Sequence, residues 1–261
     1  MTYDVILMLL ISGILVGIIN TIAGGGSVIT MTVFMVLGLP ITVANGTNRI
    51  AVVMQNLAAT ITFIRKRMFD LKSGMLLAVP VIIGNIGGSL LATHINDTIF
   101  RICFGVVLFL ILLYMIFDKS HKHPNIHGGH PLVVRWWHYL LFLFMGFYGG
   151  YIYVGLGYVI LAATIWLMDL DIVTANVVKC FIIFVATPFS LIIFMVNGQV
   201  DYAYGLWHGL GNVVGAYLAS RYVISWGVTF VRWATFVIIM ICFADLVGLI
   251  SMQDMLYAML A

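Results

Sequence analysis

ISGILVGIINTIAGGGSVITMTVFMVLGLPITVANGTNRIA, residues 11 to 51, decides the fold. An apolar run over residues 5 to 22 meets three glycines, Gly24, Gly25 and Gly26, where a membrane helix should continue. Glycine in a helix interior costs about 1 kcal/mol per residue relative to alanine, so the triple run predicts a break. The arm after it, residues 27 to 38, reaches only about 18 Å at 1.5 Å per residue, too short for a hydrocarbon layer of roughly 30 Å. A re-entrant hairpin with its tip at the glycines is the expected result. Ser27 starts the arm and Pro40 precedes the next span, which opens on Asn45-Gly46-Thr47-Asn48-Arg49.

The rest of the chain is of the same kind. Of its 261 residues 63% are hydrophobic and 8% charged, where a soluble domain carries about 25% charged residues. No globular core of this size hides so much apolar surface, and in lipid the helix satisfies its own backbone. The expected fold is therefore an all-α polytopic membrane protein. Met1-Thr2-Tyr3-Asp4 leads straight into apolar sequence without a basic leader, so the first segment is expected to be retained. Cys103, Cys180 and Cys242 form no CxxC pair and imply neither a disulfide framework nor a zinc site.

Apolar stretches place helices near residues 5–22, 27–38, 42–64, 73–94 and 99–117, then 136–153, 156–168, 173–196, 203–222 and 227–250. Between the sets lies DKSHKHPNIHGGHPLVVR, residues 118–135, whose Pro, Gly and His content suits an exposed loop. It divides the chain into a first transmembrane repeat (1–117), a polar His-containing linker (118–135) and a second transmembrane repeat (136–261). At an offset of 131, AGGGSVI (23–29) lies over VGLGYVI (154–160), Ala44-Asn45 over Ala175-Asn176, Asp70 over Asp201 and Gly74 over Gly205. At 127, GNIGGSLLATHI (84–95) lies over GNVVGAYLASRY (211–222). Such order points to duplication, a common origin of transporter folds. Gly155-Leu156-Gly157 then predicts a second helix break.

With two hairpins, each repeat keeps three full crossings and the second repeat is inverted. Setting aside Arg49 and Lys179, inversion puts nine Lys and Arg in the cytoplasm and one outside, against seven and three without it. The positive-inside rule favours inversion.

Backbone N–H groups exposed at a broken helix, at the positive end of a half-helix dipole, favour an anion. The candidate binding residues are Gly24, Gly25, Gly26 and Ser27 at the first break and Gly155 and Gly157 at the second. Arg49 and Lys179 join them, because an ionisable group inside a membrane helix costs several kcal/mol unless partnered. The repeat sets Lys179 over Asn48, one position from Arg49, so both cations are expected at the same depth. Asn45, Thr47, Asn48 and Asn176 are the expected hydrogen-bonding partners of the ligand.

Asn20, Gln55, Asn56, Asn85, His208 and Asn212 are further polar groups within spans, suited to hydrogen bonds between helices. His208 could also carry a proton. The alternative reading is a divalent-metal permease using His121, His123, His127 and His130, since imidazole binds such ions. No nucleotide loop, Ser-His-Asp set or HExxH helix is present, so an enzyme is not expected and no cofactor is implied.

Residues 11 to 51, with the glycine break, Pro40 and the Ala-Asn-Gly-Thr-Asn run, resemble the first half of the TauE/SafE family of sulfite exporters. VGLGYVI and VTANVVK resemble its second half. The resemblance implies a multi-pass permease of a bacterial or archaeal inner membrane, moving sulfite, thiosulfate or sulfonates such as sulfoacetate. Its partners would be a small anionic substrate and membrane lipid, not nucleic acid, and a homodimer is compatible with it. The chain departs from the family in Thr30 and Met31, where a proline is common, and in Leu156, which replaces a motif glycine.

Overall fold

The computed structural model describes residues 1–22, 24–65, 71–117, 134–222 and 228–250. Among them are ten α-helices and no strand. The first set is α1 (Tyr3–Ile22), α2 (Ser27–Val36), α3 (Ile41–Arg65), α4 (Leu71–His94) and α5 (Asp97–Phe117). The second is α6 (Trp136–Tyr151), α7 (Leu156–Met168), α8 (Ile172–Val196), α9 (Tyr202–Tyr222) and α10 (Val228–Leu246). The chain is thus an all-α polytopic membrane protein, and α1, α8 and residues Gly74–His94 of α4 are each long and apolar enough to cross a bilayer. Residues 118–133 of the expected linker, including its four histidines, lie outside the described residues.

Both expected breaks are present. Gly24 and Gly155 turn the chain with φ of +95° and +75°, a conformation that glycine alone adopts at no steric cost. Helices α2 and α7, of 10 and 13 residues, are about 15 and 20 Å long and cannot span the hydrocarbon layer. Several ends fall short of the sequence reading. Helix α2 stops at Val36 because Gly38, at φ +94°, folds the chain back so that Leu39 N–H bonds Phe34 O at 3.0 Å. Helix α10 stops at Leu246 for the same reason at Gly248, with Leu249 N–H on Ala244 O at 2.9 Å. These are left-handed C-terminal caps.

The two sets interlock. Helix α1 packs along α9, α6 along α4, and α3 faces α8. The first two pairings rest on glycines four residues apart: Gly13 and Gly17 against Gly211 and Gly215, and Gly84 and Gly88 against Gly146 and Gly150. A Cβ at any of these eight would lie 1.9–2.4 Å from a backbone oxygen of the facing helix. The helices therefore touch backbone to backbone, as small-xxx-small interfaces do in membranes. The sequence reading took glycine packing only as a rival explanation of the breaks and did not single out these four spaced pairs. Around them two apolar cores form, one on α2 and α5 (Met31, Phe34, Phe100, Phe104) and one on α7 and α8 (Leu156, Ile160, Ile182).

Candidate functional site

The interlocking brings the two breaks together. A Cβ on Gly24 would lie 2.6 Å from the Cα of Gly157, and one on Gly157 would lie 2.5 Å from the Cα of Gly24. Gly25 is covered by the ring of Tyr158, whose Cε2 stands 2.2 Å from where a Cβ on Gly25 would be. Tyr158 also lines an apolar groove of about 460 Å³ among α5, α6 and α7, with Val107, Ile111, Tyr148, Gly155 and Trp166. Ser27 is buried, and its Oγ accepts a long 3.5 Å hydrogen bond from Asn20 Nδ2, which also donates to Gln55 Oε1 at 3.2 Å.

Arg49 and Lys179 are buried to 0% and 1% exposure, which rules out snorkelling of either head to the membrane surface. Each instead holds the broken end of a helix from the other set. Lys179 Nζ donates to Asn20 O (3.0 Å), Thr21 O (3.1 Å) and Asn176 Oδ1 (2.6 Å). Asn176 Nδ2 donates to Ile22 O at 3.2 Å, so the last three carbonyls of α1 are all engaged. At the end of α6, Arg49 donates to Gly149 O (2.6 Å) and Gly150 O (3.0 Å) and to Asn45 Oδ1 (3.1 Å), while Asn45 Nδ2 donates to Tyr151 O (2.9 Å). The Arg49 guanidinium also stacks 4.8 Å from the Tyr153 ring and 5.3 Å from that of Phe194.

A helix C-terminus carries roughly half a negative charge, and a full cation on it leaves an excess of positive charge. The start of the following helix, α2 or α7, adds its own positive end at the same break. No aspartate is among the buried residues described, and the sequence has no glutamate. The junction is thus a strongly electropositive region in a low-dielectric interior.

The remaining expected residues divide. Asn48 is buried with both amide atoms unpartnered, and Arg49 Nε is likewise buried without a partner. Thr47 faces elsewhere: its Oγ1 accepts from Asp201 N–H at 2.9 Å, tying α3 to the turn before α9. Asn85 and Asn212 sit on the glycine-packed helices and bond locally, to Ser89 Oγ and to His208 O. His208 bridges three helices, with Nδ1 3.2 Å from Leu9 O and Nε2 3.0 Å from Thr30 Oγ1. Ser12 Oγ also lies 3.2 Å from Nδ1. Among the described residues no group of three or more metal-ligating side chains occurs. The sequence reading missed Tyr153 and Tyr158, which sit in or beside the second break motif, and the carbonyl partners of both cations.

Broken helices paired around buried cations are an arrangement found in membrane transporters. The chain belongs to the sulfite exporter TauE/SafE family, whose profile matches residues 9–246. It is 27% identical over 234 residues to a probable membrane transporter protein of Haemophilus influenzae, covering 88% of this chain and 89% of that one. It is 25% identical over 222 residues to the probable membrane transporter protein YfcA of Escherichia coli K12, covering 84% and 80%. To the probable membrane transporter protein YunE of Bacillus subtilis it is 22% identical over 250 residues, covering 83% and 91%. No solved structure matches the chain.

Proposed function

We propose that this transporter exports a small sulfur-containing anion, such as sulfite or a two-carbon sulfonate like sulfoacetate, bound near the membrane midplane between the two glycine-broken helices once the Gly24–Gly157 backbone contact parts. The observation that carries the reading is the pair of buried cations, Arg49 and Lys179, at facing helix breaks with no buried carboxylate described beside them. A monoanion supplies the missing negative charge, and the starts of α2 and α7 supply backbone donors. Lys179 uses all three of its N–H groups on the protein. It therefore acts through its field, and Arg49 Nε, Asn48 Nδ2 and Thr21 Oγ1 are buried side-chain donors still available to the anion. In a cell negative inside, export of a monoanion is favourable by about 2.3 kcal/mol per 100 mV.

The reading is tested by thermal shift of the purified protein with sulfite, thiosulfate, sulfoacetate, sulfate and acetate, followed by efflux from proteoliposomes. Stabilisation by a sulfur anion and not by acetate is expected, since a ligand that binds only the folded state raises stability by mass action. Equal responses to all five would overturn it.

The repeat is proposed to be inverted in a bacterial or archaeal inner membrane. Single-cysteine labelling in a cysteine-free background should find position 65 on the cytoplasmic face and position 199 outside. Labelling of both from one side would remove the inversion.

A further inference from the structure

Each buried cation sits among three oxygens of the same origin. Around Lys179 they are Asn20 O and Thr21 O from the last turn of α1 and Asn176 Oδ1 from α8, at 2.6–3.1 Å. Around Arg49 they are Gly149 O and Gly150 O from the last turn of α6 and Asn45 Oδ1 from α3, again at 2.6–3.1 Å. Carbonyls at the ends of unwound half-helices are where transporters with broken helices coordinate a coupling sodium ion, because the negative dipole end and the unpaired oxygens suit a cation. Here both oxygen sets are already filled by a charge covalently attached to the facing helix.

We infer that Lys179 and Arg49 are tethered counter-cations standing in the places of coupling sodium ions, so that the chain moves its anion without sodium at either helix end. The inference rests on the proposed anion transport and adds how that transport is driven. A lysine ammonium has three N–H donors, and Lys179 spends all three on this set, so its own charge occupies the place that a free cation would take. Because the positive charge stays on the protein, the anion crosses with its own charge uncompensated. Flux then follows the membrane potential.

Lys179→Met is the sharpest probe, since it keeps a stem of similar length and removes only the charged head. It leaves three oxygens around a vacancy the size of an ammonium ion. The melting temperature of purified Lys179→Met is expected to rise with sodium or ammonium chloride but not with tetramethylammonium chloride, whereas wild type melts alike in all three. In proteoliposomes, wild-type efflux of sulfite or sulfoacetate is expected to be equal in sodium and N-methylglucamine media. Efflux by Lys179→Met should be lost in N-methylglucamine and recover at least tenfold with ammonium or sodium. A sodium requirement in wild type, or a Lys179→Met protein whose melting and efflux ignore all cations, overturns the inference. If the variant does not fold, the wild-type sodium comparison decides alone. Failure of wild type to move any sulfur anion counts against the substrate reading, while the melting comparison still decides this one.

Discussion

The ends of α1 and α6 are closed by one device made from different side chains, Asn176 with Lys179 at the first and Asn45 with Arg49 at the second. In α8 the cation follows its asparagine by three residues, in α3 by four. The shift changes what is left over. Lysine is saturated by its three oxygens, whereas arginine holds three oxygens and keeps a buried, unpartnered Nε. Asn48 occupies in α3 the position that Lys179 occupies in α8, and with the cap already made by Arg49 its amide has no partner. The two sites thus differ: one is closed and supplies charge, and the other keeps buried groups able to hydrogen-bond a ligand. Glycine content differs in the same sense: the first break has Gly25, and the second has Leu156 and the Tyr158 ring that covers Gly25.

The largest effect is expected at Arg49, which caps α6 and, in the proposed reading, contacts the anion. Arg49→Met should lower anion efflux by at least 100-fold, because it removes the positive charge and the guanidinium donors together. Arg49→Lys should retain only part of the activity, because the charge is kept but the fork that spans two carbonyls is lost. Efflux normalised to folded protein is the measurement, and wild-type flux in Arg49→Met would erase the distinction between the two caps.

Next come the glycine interfaces, where the two sets are expected to behave alike. Gly17→Val and Gly150→Val each place carbon atoms on a facing backbone, at 2.4 and 2.1 Å for the Cβ alone. Both should lose folded protein, with an overpacking cost of about 1–3 kcal/mol or more. Monodisperse yield and melting temperature in detergent report it, and a large loss in one but not the other would show that the two helix pairs are not equivalent.

Asn48→Leu sharpens the comparison because its two readouts move in opposite directions. Removing a buried amide with no partner should stabilise the protein by about 1–3 kcal/mol, the desolvation penalty of such a group. Efflux should fall about tenfold if the amide contacts the anion. Falling stability together with falling efflux would mean that the Asn48 amide is partnered in the working protein.

The smallest effect is expected at Thr47. Thr47→Val removes one hydrogen bond to Asp201 N–H and should cost about 1 kcal/mol of stability, with efflux close to wild type. A tenfold loss of efflux would bring Thr47 back into the binding site that the sequence suggested for it.

Ten helices among the described residues, the two breaks and the short arms were legible in the residue pattern. These follow from local physics: apolar length, the helical cost of consecutive glycines, and the need of every backbone group in lipid for a partner. It also singled out Arg49, Lys179, Asn45, Asn48 and Asn176, because polar groups are conspicuous in apolar spans. The partners of those groups became visible in the folded arrangement alone. The partners of Arg49 are carbonyls 100 and 101 residues away and those of Lys179 are 159 and 158 away. A carbonyl is the same in every residue, so its place as a ligand leaves no trace in the side-chain pattern. It emerges only when the glycine-lined helices lock together and carry the end of each broken helix against the cation of the other set.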